Sequence, residues 1–347
     1  MTSGSIQRPP NGGASTSTRA RGMAGLLSAA LPVLVIGGLL YAAFFIKPRV
    51  QVASVQPATI ERRDIFYGVS MASPGVIWAA GQQGKIVRST DRGVSWAPQA
   101  NGTQAHLQAI AVWDAERAVA VGNDLTILST GDGGKTWRKA AAIGGVPAAK
   151  LLRVRAYDPG IAWAVGERGT VLRSSDHGIS WQAKSTKDDA TWNDVAFVGR
   201  NGWMVGEFGR IRQTIDGGAN WTSVTAPVKS SLNAVAFRDE RNGVAVGTGG
   251  VVVVTTDSGA SWQLLPSITD QHIFDVLWDG SRWLLAGDKG LLLAADSRAQ
   301  TWTDASAGIS ATWHTQIDGR DGRYALAGYG ITVTDLAAAK QGMGANK

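Results

Sequence analysis

The chain reads as an all-β protein, a seven-bladed β-propeller preceded by one membrane-spanning helix. Three observations predict this. The eight-residue pattern Ser89–Trp96, STDRGVSW, recurs at a period of about 40 residues. An apolar strand ending in Gly runs about ten residues ahead of each copy. Nearer the N terminus, Met23–Ile46 is a stretch of 24 residues without a charge.

The charge-free stretch comes first. At ~1.5 Å per residue it spans about 36 Å, enough to cross a ~30 Å hydrocarbon core with tilt. Residues 1–22 ahead of it form a basic tail, polar and rich in Ser, Thr, Gly and Pro over its first eighteen residues, a composition that predicts disorder. The alternative is a cleaved signal peptide, whose apolar region runs about 7–15 residues to a small-x-small site. This stretch is longer and ends in Phe44-Phe45-Ile46-Lys47-Pro48. The expectation is an uncleaved, single-pass anchor in the inner membrane. Arg19 and Arg21 flank one end and Lys47 and Arg49 the other, so the positive-inside balance is nearly even. The simpler insertion keeps the short tail inside and puts the large domain in the periplasm.

Net charge is +7, but the first fifty residues hold five bases and no acid. The remaining 29 bases face 27 acids, which argues against a nucleic-acid binder held by phosphate contacts. With no Cys, a disulfide scaffold, thiolate metal sites and Cys nucleophiles are excluded.

The turn pattern returns as TGDGGKTW (Thr130–Trp137), SSDHGISW (Ser174–Trp181), TIDGGANW (Thr214–Trp221) and TTDSGASW (Thr255–Trp262). A damaged copy, ADSRAQTW, runs over Ala295–Trp302, and a trace, VTD, ends at Asp335. The seven Asp residues, Asp91, Asp132, Asp176, Asp216, Asp257, Asp296 and Asp335, lie 39–44 residues apart. The apolar strands end at Gly81, Gly122, Gly166, Gly206, Gly247, Gly287 and Gly328. Most lead through a tight Gly turn into another short strand. A further strand sits upstream, as from Leu107, Trp192, Leu232 and Ile273, and a last one must follow each Trp. Four short strands in about 40 residues make one propeller blade. The propeller then occupies residues 50–335, and 336–347 is a C-terminal tail.

In each turn the Asp carboxylate can accept backbone N–H bonds, Gly permits positive φ, and Trp covers the apolar layer. Asp91, Asp132, Asp176, Asp216, Asp257 and Asp296, with Trp96, Trp137, Trp181, Trp221, Trp262 and Trp302, are therefore read as structural. No loop gathers the several oxygen ligands calcium needs, so no metal and no cofactor is expected. The seventh repeat has strands near His314–Ile317, Tyr324–Ala327 and Ile331–Thr334, but LAAAKQGMGANK after Asp335 offers no fourth. Val50–Val55 alternates as a strand should, and is expected to supply the outer strand of the seventh blade.

These Ser/Thr-x-Asp-x-Gly-x-Thr-Trp units resemble BNR or Asp-box repeats. Together with the preceding (Trp/Val)-x-Val-Gly-x-x-Gly-x-(Ile/Val) segment, they make residues 50–335 similar to the photosystem II stability/assembly-factor-like propellers. That resemblance implies an extracytoplasmic seven-bladed propeller that binds assembly intermediates of membrane proteins. The cyanobacterial members carry a lipidation Cys; this chain has none and has the apolar helix instead.

One face of such a propeller gathers the residues just before the first strands: Ile65, His106, Lys150, Thr191, Ser231, His272 and Trp313. The turns between second and third strands add Gln82, Gln83, Asn123, Asp124, Glu167, Arg168, Glu207, Phe208, Asp288, Lys289 and Tyr329 to it. From these, His106, Lys150, Thr191, Ser231, His272, Trp313, Arg168, Phe208 and Tyr329 are the candidate binding residues, a polar and aromatic set suited to a polypeptide. His106 and His272 match in position and are a candidate ligand pair, whereas His177, inside a turn, reads as surface. Arg88 and Arg173 precede their turns at matching positions, with Arg212 nearby, and could pair with neighbouring blades or with a partner carboxylate. The expected partner is a membrane protein or its extracytoplasmic segment, and the propeller is expected to be monomeric. The rival reading is a glycoside hydrolase, since Asp-boxes occur in sialidases. Its Phe-Arg-x-Pro signature is absent, because Phe237-Arg238 continues as Asp239-Glu240. Asp194 and Asp275 share an inward strand position two blades apart, as a hydrolytic pair or as buried structural carboxylates. A third reading is an accessory subunit of an envelope transporter.

Overall fold

The computed structural model describes residues 18–45, 59–146, 149–184 and 189–336. Two compact units share the chain, Met1–Gln56 and Pro57–Lys347. In the first, helix α1 runs over Thr18–Phe45. It begins five residues before the expected Met23, so residues 18–22 are helical rather than tail. From residue 30 onward its side chains are described, and Leu31, Leu34, Ile36, Leu39 and Phe45 are all exposed. Among the described residues, no helix is long and apolar enough to cross a membrane.

The second unit is built from seven antiparallel sheets among the described residues, six of four strands and one of three, each in simple sequential order. Blade 1 shows the pattern: Phe66–Ser73, Val76–Gly81, Ile86–Ser89 and Ala97–Pro98. The first strands of the other blades are Leu107–Val112, Leu151–Tyr157, Trp192–Val198, Leu232–Phe237, Ile273–Trp278 and His314–Arg320. Each packs on the next, and the last on Phe66–Ser73, so they ring a central axis. Blade 7 ends with Gly330–Asp335 as its third strand. The expected outer strand at Val50–Val55 lies outside the described residues.

Apolar side chains collect in seven clusters, one per seam between blades. The seam of blades 1 and 2 holds Trp78, Leu107, Ile110 and Leu128 with Trp137 against them. That of blades 7 and 1 holds Phe66, Val69, Met71, Ala325 and Ala327 with Trp96. Each of the six Asp-box tryptophans lies in the seam between its own blade and the one before. Trp137 meets Trp78 edge-on with ring centroids 5.8 Å apart, and Trp221 meets Trp163 at 6.1 Å.

The turn pattern is a hydrogen-bonded unit. In blade 2 the Thr130 hydroxyl donates to Asp132 Oδ1 at 2.9 Å and accepts the N–H of Gly134 at 3.0 Å. Asp132 Oδ1 then accepts the Thr136 N–H at 2.9 Å, and Oδ2 the Thr136 hydroxyl at 2.6 Å. The same set recurs around Asp91, Asp176 and Asp257, and around Asp216 with the Asn220 amide in place of the last hydroxyl. In blade 6, alignment of Trp302 with Trp137 puts Ala295 at the hydroxyl position and Ser297 at the carboxylate position, so the unit is lost, and Asp296, one residue early, accepts only the Arg298 N–H. Asp335 faces Arg323 Nη1 instead.

Glycine is required twice in each of the first five repeats; blade 6 carries Ala299, with φ +56°, at the box position. In the box, Gly218 has φ +83°, and a Cβ there would sit 2.2 Å from Trp163 of the preceding blade. At the end of the second strand, a Cβ on Gly122 would lie 2.0 Å from the carbonyl oxygen of His106. That carbonyl accepts the Asn123 N–H at 2.9 Å, which closes the turn.

The box carboxylates set an acid limit. Hydrogen bonds from the Ser95 side chain and backbone hold Asp91 at about 2, below the ordinary 3.8. The Thr136 hydroxyl and N–H do the same for Asp132. These groups bind protons more weakly folded than unfolded. Their stabilisation is complete above pH 3.8 and is lost as pH falls through about 2. The urea midpoint of unfolding should therefore fall through this window, and Asp132→Asn should flatten the fall. A midpoint equally acid-sensitive in wild type and variant would contradict it.

Candidate functional site

The turns between second and third strands lie on one face of the propeller, here the turn face, and the Asp-boxes lie on the other, the box face. Residues just before the first strands are anchored by their backbones. The carbonyls of Ile65, His106, Lys150, Thr191, Ser231 and His272 each accept an N–H from the turn beside them. The candidates thus come to equivalent places, as the sequence predicts, but their side chains do different things. Lys150, Thr191, Ser231 and Trp313 are half-buried and His272 is exposed. Glu167 and Glu207 are structural, accepting the N–H of Lys150 and of Thr191 at 3.3 Å each.

An aromatic wall stands where blades 7, 1 and 2 meet. Tyr67 stacks with Trp313 at 6.3 Å and meets His106 edge-on at 6.5 Å. Tyr67 did not stand out in the sequence. Only alignment of the first strands places it beside two of the candidates. His106 and His272 are not brought together: His272 Nδ1 accepts the Gly249 N–H at 2.9 Å, while His106 packs on Tyr67. Among the described residues, no group of three His, Asp or Glu is placed to hold a metal.

The turn tips have an unusual backbone. Gln83, Asp124, Arg168, Phe208 and Lys289 all have φ between +52° and +58°. That left-handed region disfavours a side chain by roughly 1–2 kcal/mol and favours glycine, and blade 5 does carry Gly249 there. All five side chains are exposed; Phe208 is 73% exposed, and Tyr329, at the tip of blade 7, is 51%.

On the box face the predicted arginines divide. Arg88 lies over Trp78 at 4.9 Å, and its Nη2 donates to the Ala115 carbonyl of blade 2 at 2.9 Å. Arg173 lies over Trp163 at 5.9 Å, but among the described residues it has no hydrogen-bond or ion-pair partner. Turn length explains this. Blade 2 joins its first two strands through residues 113–117, which reach Arg88, whereas blade 4 uses only Gly199 and Arg200. A groove of about 500 Å³ stays open there over Trp163, Phe197 and Tyr157. Arg212 lies over Trp192 at 5.9 Å. His177 ties blade 3 to blade 2, with Arg117 Nη1 2.9 Å from its Nε2 and Trp113 against its ring.

Between the faces, the central axis is closed by charge. Arg153 and Arg155 of blade 3 reach both Asp194 of blade 4 and Asp275 of blade 6, with Nη2 of Arg155 2.7 Å from Asp194 and Nη2 of Arg153 3.3 Å from Asp275. The remaining lone pairs are also used: Asp194 accepts the N–H groups of Val195 and Val235, and Asp275 that of Ile317. Burial pushes Asp194 up, but the charges of Arg155 and Arg153 outweigh it and hold the carboxyl low. Burial dominates at Asp275, which is raised. A split pair of carboxylates can mark a hydrolase. Here both are 0% exposed and each is held by arginine and backbone N–H. Of the two readings of this pair, the geometry supports the structural one.

The fold and its faces define a seven-bladed Asp-box propeller. Residues 146–229, which cover blades 3 and 4, match the family model described as photosynthesis system II assembly factor YCF48. The resemblance to photosystem II assembly-factor-like propellers therefore holds. No curated protein sequence matches significantly. Among solved structures, YCF48 bound to D1 peptide matches at 18% identity and TM-score 0.67, over 80% of this chain and 94% of that one. YCF48 from Cyanidioschyzon merolae matches at 17% and 0.65, over 80% and 97%. The WD40 β-propeller domain of Doa1 matches at 12% and 0.65, over 79% and 94%. At these identities the structural likeness speaks for the fold.

Removing one partner of a buried ion cluster costs about 3–5 kcal/mol. Asp194→Ala should lower the unfolding free energy by that amount in urea titrations. A loss below about 1 kcal/mol would mean the cluster does not hold the ring.

Proposed function

We propose that this chain is a non-enzymatic, membrane-tethered scaffold whose turn face binds a polypeptide of a membrane protein complex. One observation carries the reading. Five exposed side chains, Phe208 among them, are held on left-handed turn tips around one face, where glycine would be more stable. The aromatic wall of Tyr67, Trp313 and His106 stands on the same face and offers the large, partly rigid contact area typical of binding hot spots. The solved YCF48 bound to D1 peptide supports a polypeptide as the ligand class. Tethering rests on the exposed apolar side chains of α1, which have no reason to face water over such a length. The periplasm is the proposed side of the membrane for the propeller.

The open groove at Arg173 favours a second reading, in which a carboxylate of the partner pairs with the guanidinium over Trp163 on the box face. Co-purification from solubilised membranes separates the two. Phe208→Gly combined with Trp313→Ala should remove a polypeptide partner, while Phe208→Gly alone leaves the melting temperature unchanged or raised. Loss of the partner in Arg173→Glu only would move the site to the box face. Full-length protein that leaves the membrane fraction in alkaline carbonate would overturn the tether. Reproducible glycoside hydrolysis, lost in Asp194→Asn or Asp275→Asn, would overturn the non-enzymatic reading.

A further inference from the structure

The first residue of each inner strand faces the seam with the preceding blade. Six blades fill that place with an apolar side chain: Phe66, Leu107, Leu151, Trp192, Leu232 and Ile273, none more than 1% exposed and each a member of its seam cluster. Blade 7 begins its inner strand with His314 instead. That side chain is buried, and neither ring nitrogen has a hydrogen-bond partner. A neutral imidazole carries one donor and one acceptor, and leaving both unmade in a buried place is costly. Leucine, used in blades 2, 3 and 5, avoids that cost, so packing of the seam does not call for histidine.

The position ties the ring to the turn face. His314 packs on Gly328, where a Cβ would lie 3.2 Å from Nδ1. The carbonyl of Trp313, one residue earlier, sits 2.1 Å from that same Cβ position. Trp313 in turn stacks on Tyr67 of blade 1. Opening of the seam at His314 is therefore passed to the aromatic wall.

An imidazolium would find no counter-charge here. The ionisable groups on the elements packed against this strand are engaged elsewhere. Asp275 is held by Arg153, Arg155 and the Ile317 N–H, and Asp318 by Ser70 and the Met71 N–H. Asp288 accepts the Lys289 N–H at the turn of blade 6, where Lys289 itself is exposed and of like charge. Arg320 donates to the Met71 carbonyl, and Arg323 pairs with Asp335. Tyr324 joins Asp279 and Arg282, and the Tyr67 hydroxyl accepts from Gln82. Burial holds the ring below the ordinary histidine value of 6.5, with the Ser310 backbone opposing it. The ring binds its proton more weakly in the closed seam than in an open one. Its neutral form thus favours closure fully above pH 6.5, and that contribution is lost as pH falls below it. Both nitrogens are shut off from solvent, so proton uptake requires local opening.

We propose that His314 is an acid-operated latch beneath the turn face: proton uptake opens the seam between blades 6 and 7, takes Trp313 off Tyr67 and releases the bound polypeptide. The release rests on the turn face being the polypeptide site; the opening does not.

Hydrogen exchange of residues 313–317 in the purified full-length protein, corrected for the intrinsic pH dependence of exchange, tests the opening. Between pH 7.5 and 5.0 the open population of the wild type should rise at least about threefold, toward a limit of about thirtyfold set by a proton taken up only in the open seam. His314→Leu should stay within about twofold over the same range. His106 and His272 are unchanged in that variant, so the difference belongs to His314. A smaller rise in the wild type, or an equal rise in His314→Leu, would overturn the latch. Washing the complex from solubilised membranes at pH 5.0 tests the release. The polypeptide should leave the wild type and stay on His314→Leu, whereas equal loss from both would overturn the release by His314. A wild type that opens at pH 5.0 yet keeps its partner would leave the latch standing and overturn the turn face as the binding site.

Discussion

Backbone approaching backbone more closely than a side chain permits is the constraint on which the ring depends. At the end of each second strand, a carbonyl from the residue before the first strand sits where a Cβ would be, 2.0–2.3 Å from its ideal position in all seven blades. In the boxes, glycine lets the turn of one blade rest on a second-strand Trp of the blade before, as Gly218 does on Trp163. These contacts bring consecutive blades close enough for the tryptophans to fill seven separate seams. The core is thus a ring of small cores, and no residue near the axis has to be apolar.

That freedom at the axis explains its chemistry. Inner strands elsewhere in the ring are stitched by neutral groups: Asn193 donates to the Leu232 carbonyl, Asn233 to that of Ile273, and Thr315 to that of Tyr67. Blade 3 instead contributes two arginines, and these reach past their neighbour to blade 6. Every charge in the cluster has a partner, which is the condition for burying it. The consequence is that a buried ion cluster stands on the axis between the two faces.

The period of the boxes, the Gly after each second strand and the strand positions themselves were legible because each repeats with fixed chemistry. Even the missing hydroxyl of the sixth box showed, as Ala295. The candidate residues on the turn face were legible only as positions. Alignment could place His106 and His272 alike, but not reveal that one packs on Tyr67 and the other accepts a backbone N–H. Asp194 and Asp275 were visible as an inward pair, whereas Arg153 and Arg155 were not, because a side chain that spans two blades leaves no local pattern. The freedom of Arg173 depends on the length of a turn in the next blade, which the sequence shows only once the seam is known.

On this account, the turn face exists to hold side chains against another polypeptide, and the left-handed tips are the sign of it. Site-specific photo-crosslinking tests that claim most directly. A benzophenone amino acid in place of Phe208 samples the turn face, and one in place of Val94, 82% exposed on a box, samples the other. Irradiation of intact membranes should give a discrete polypeptide adduct from position 208 and none from position 94. An adduct from position 94 with none from 208 would contradict the account.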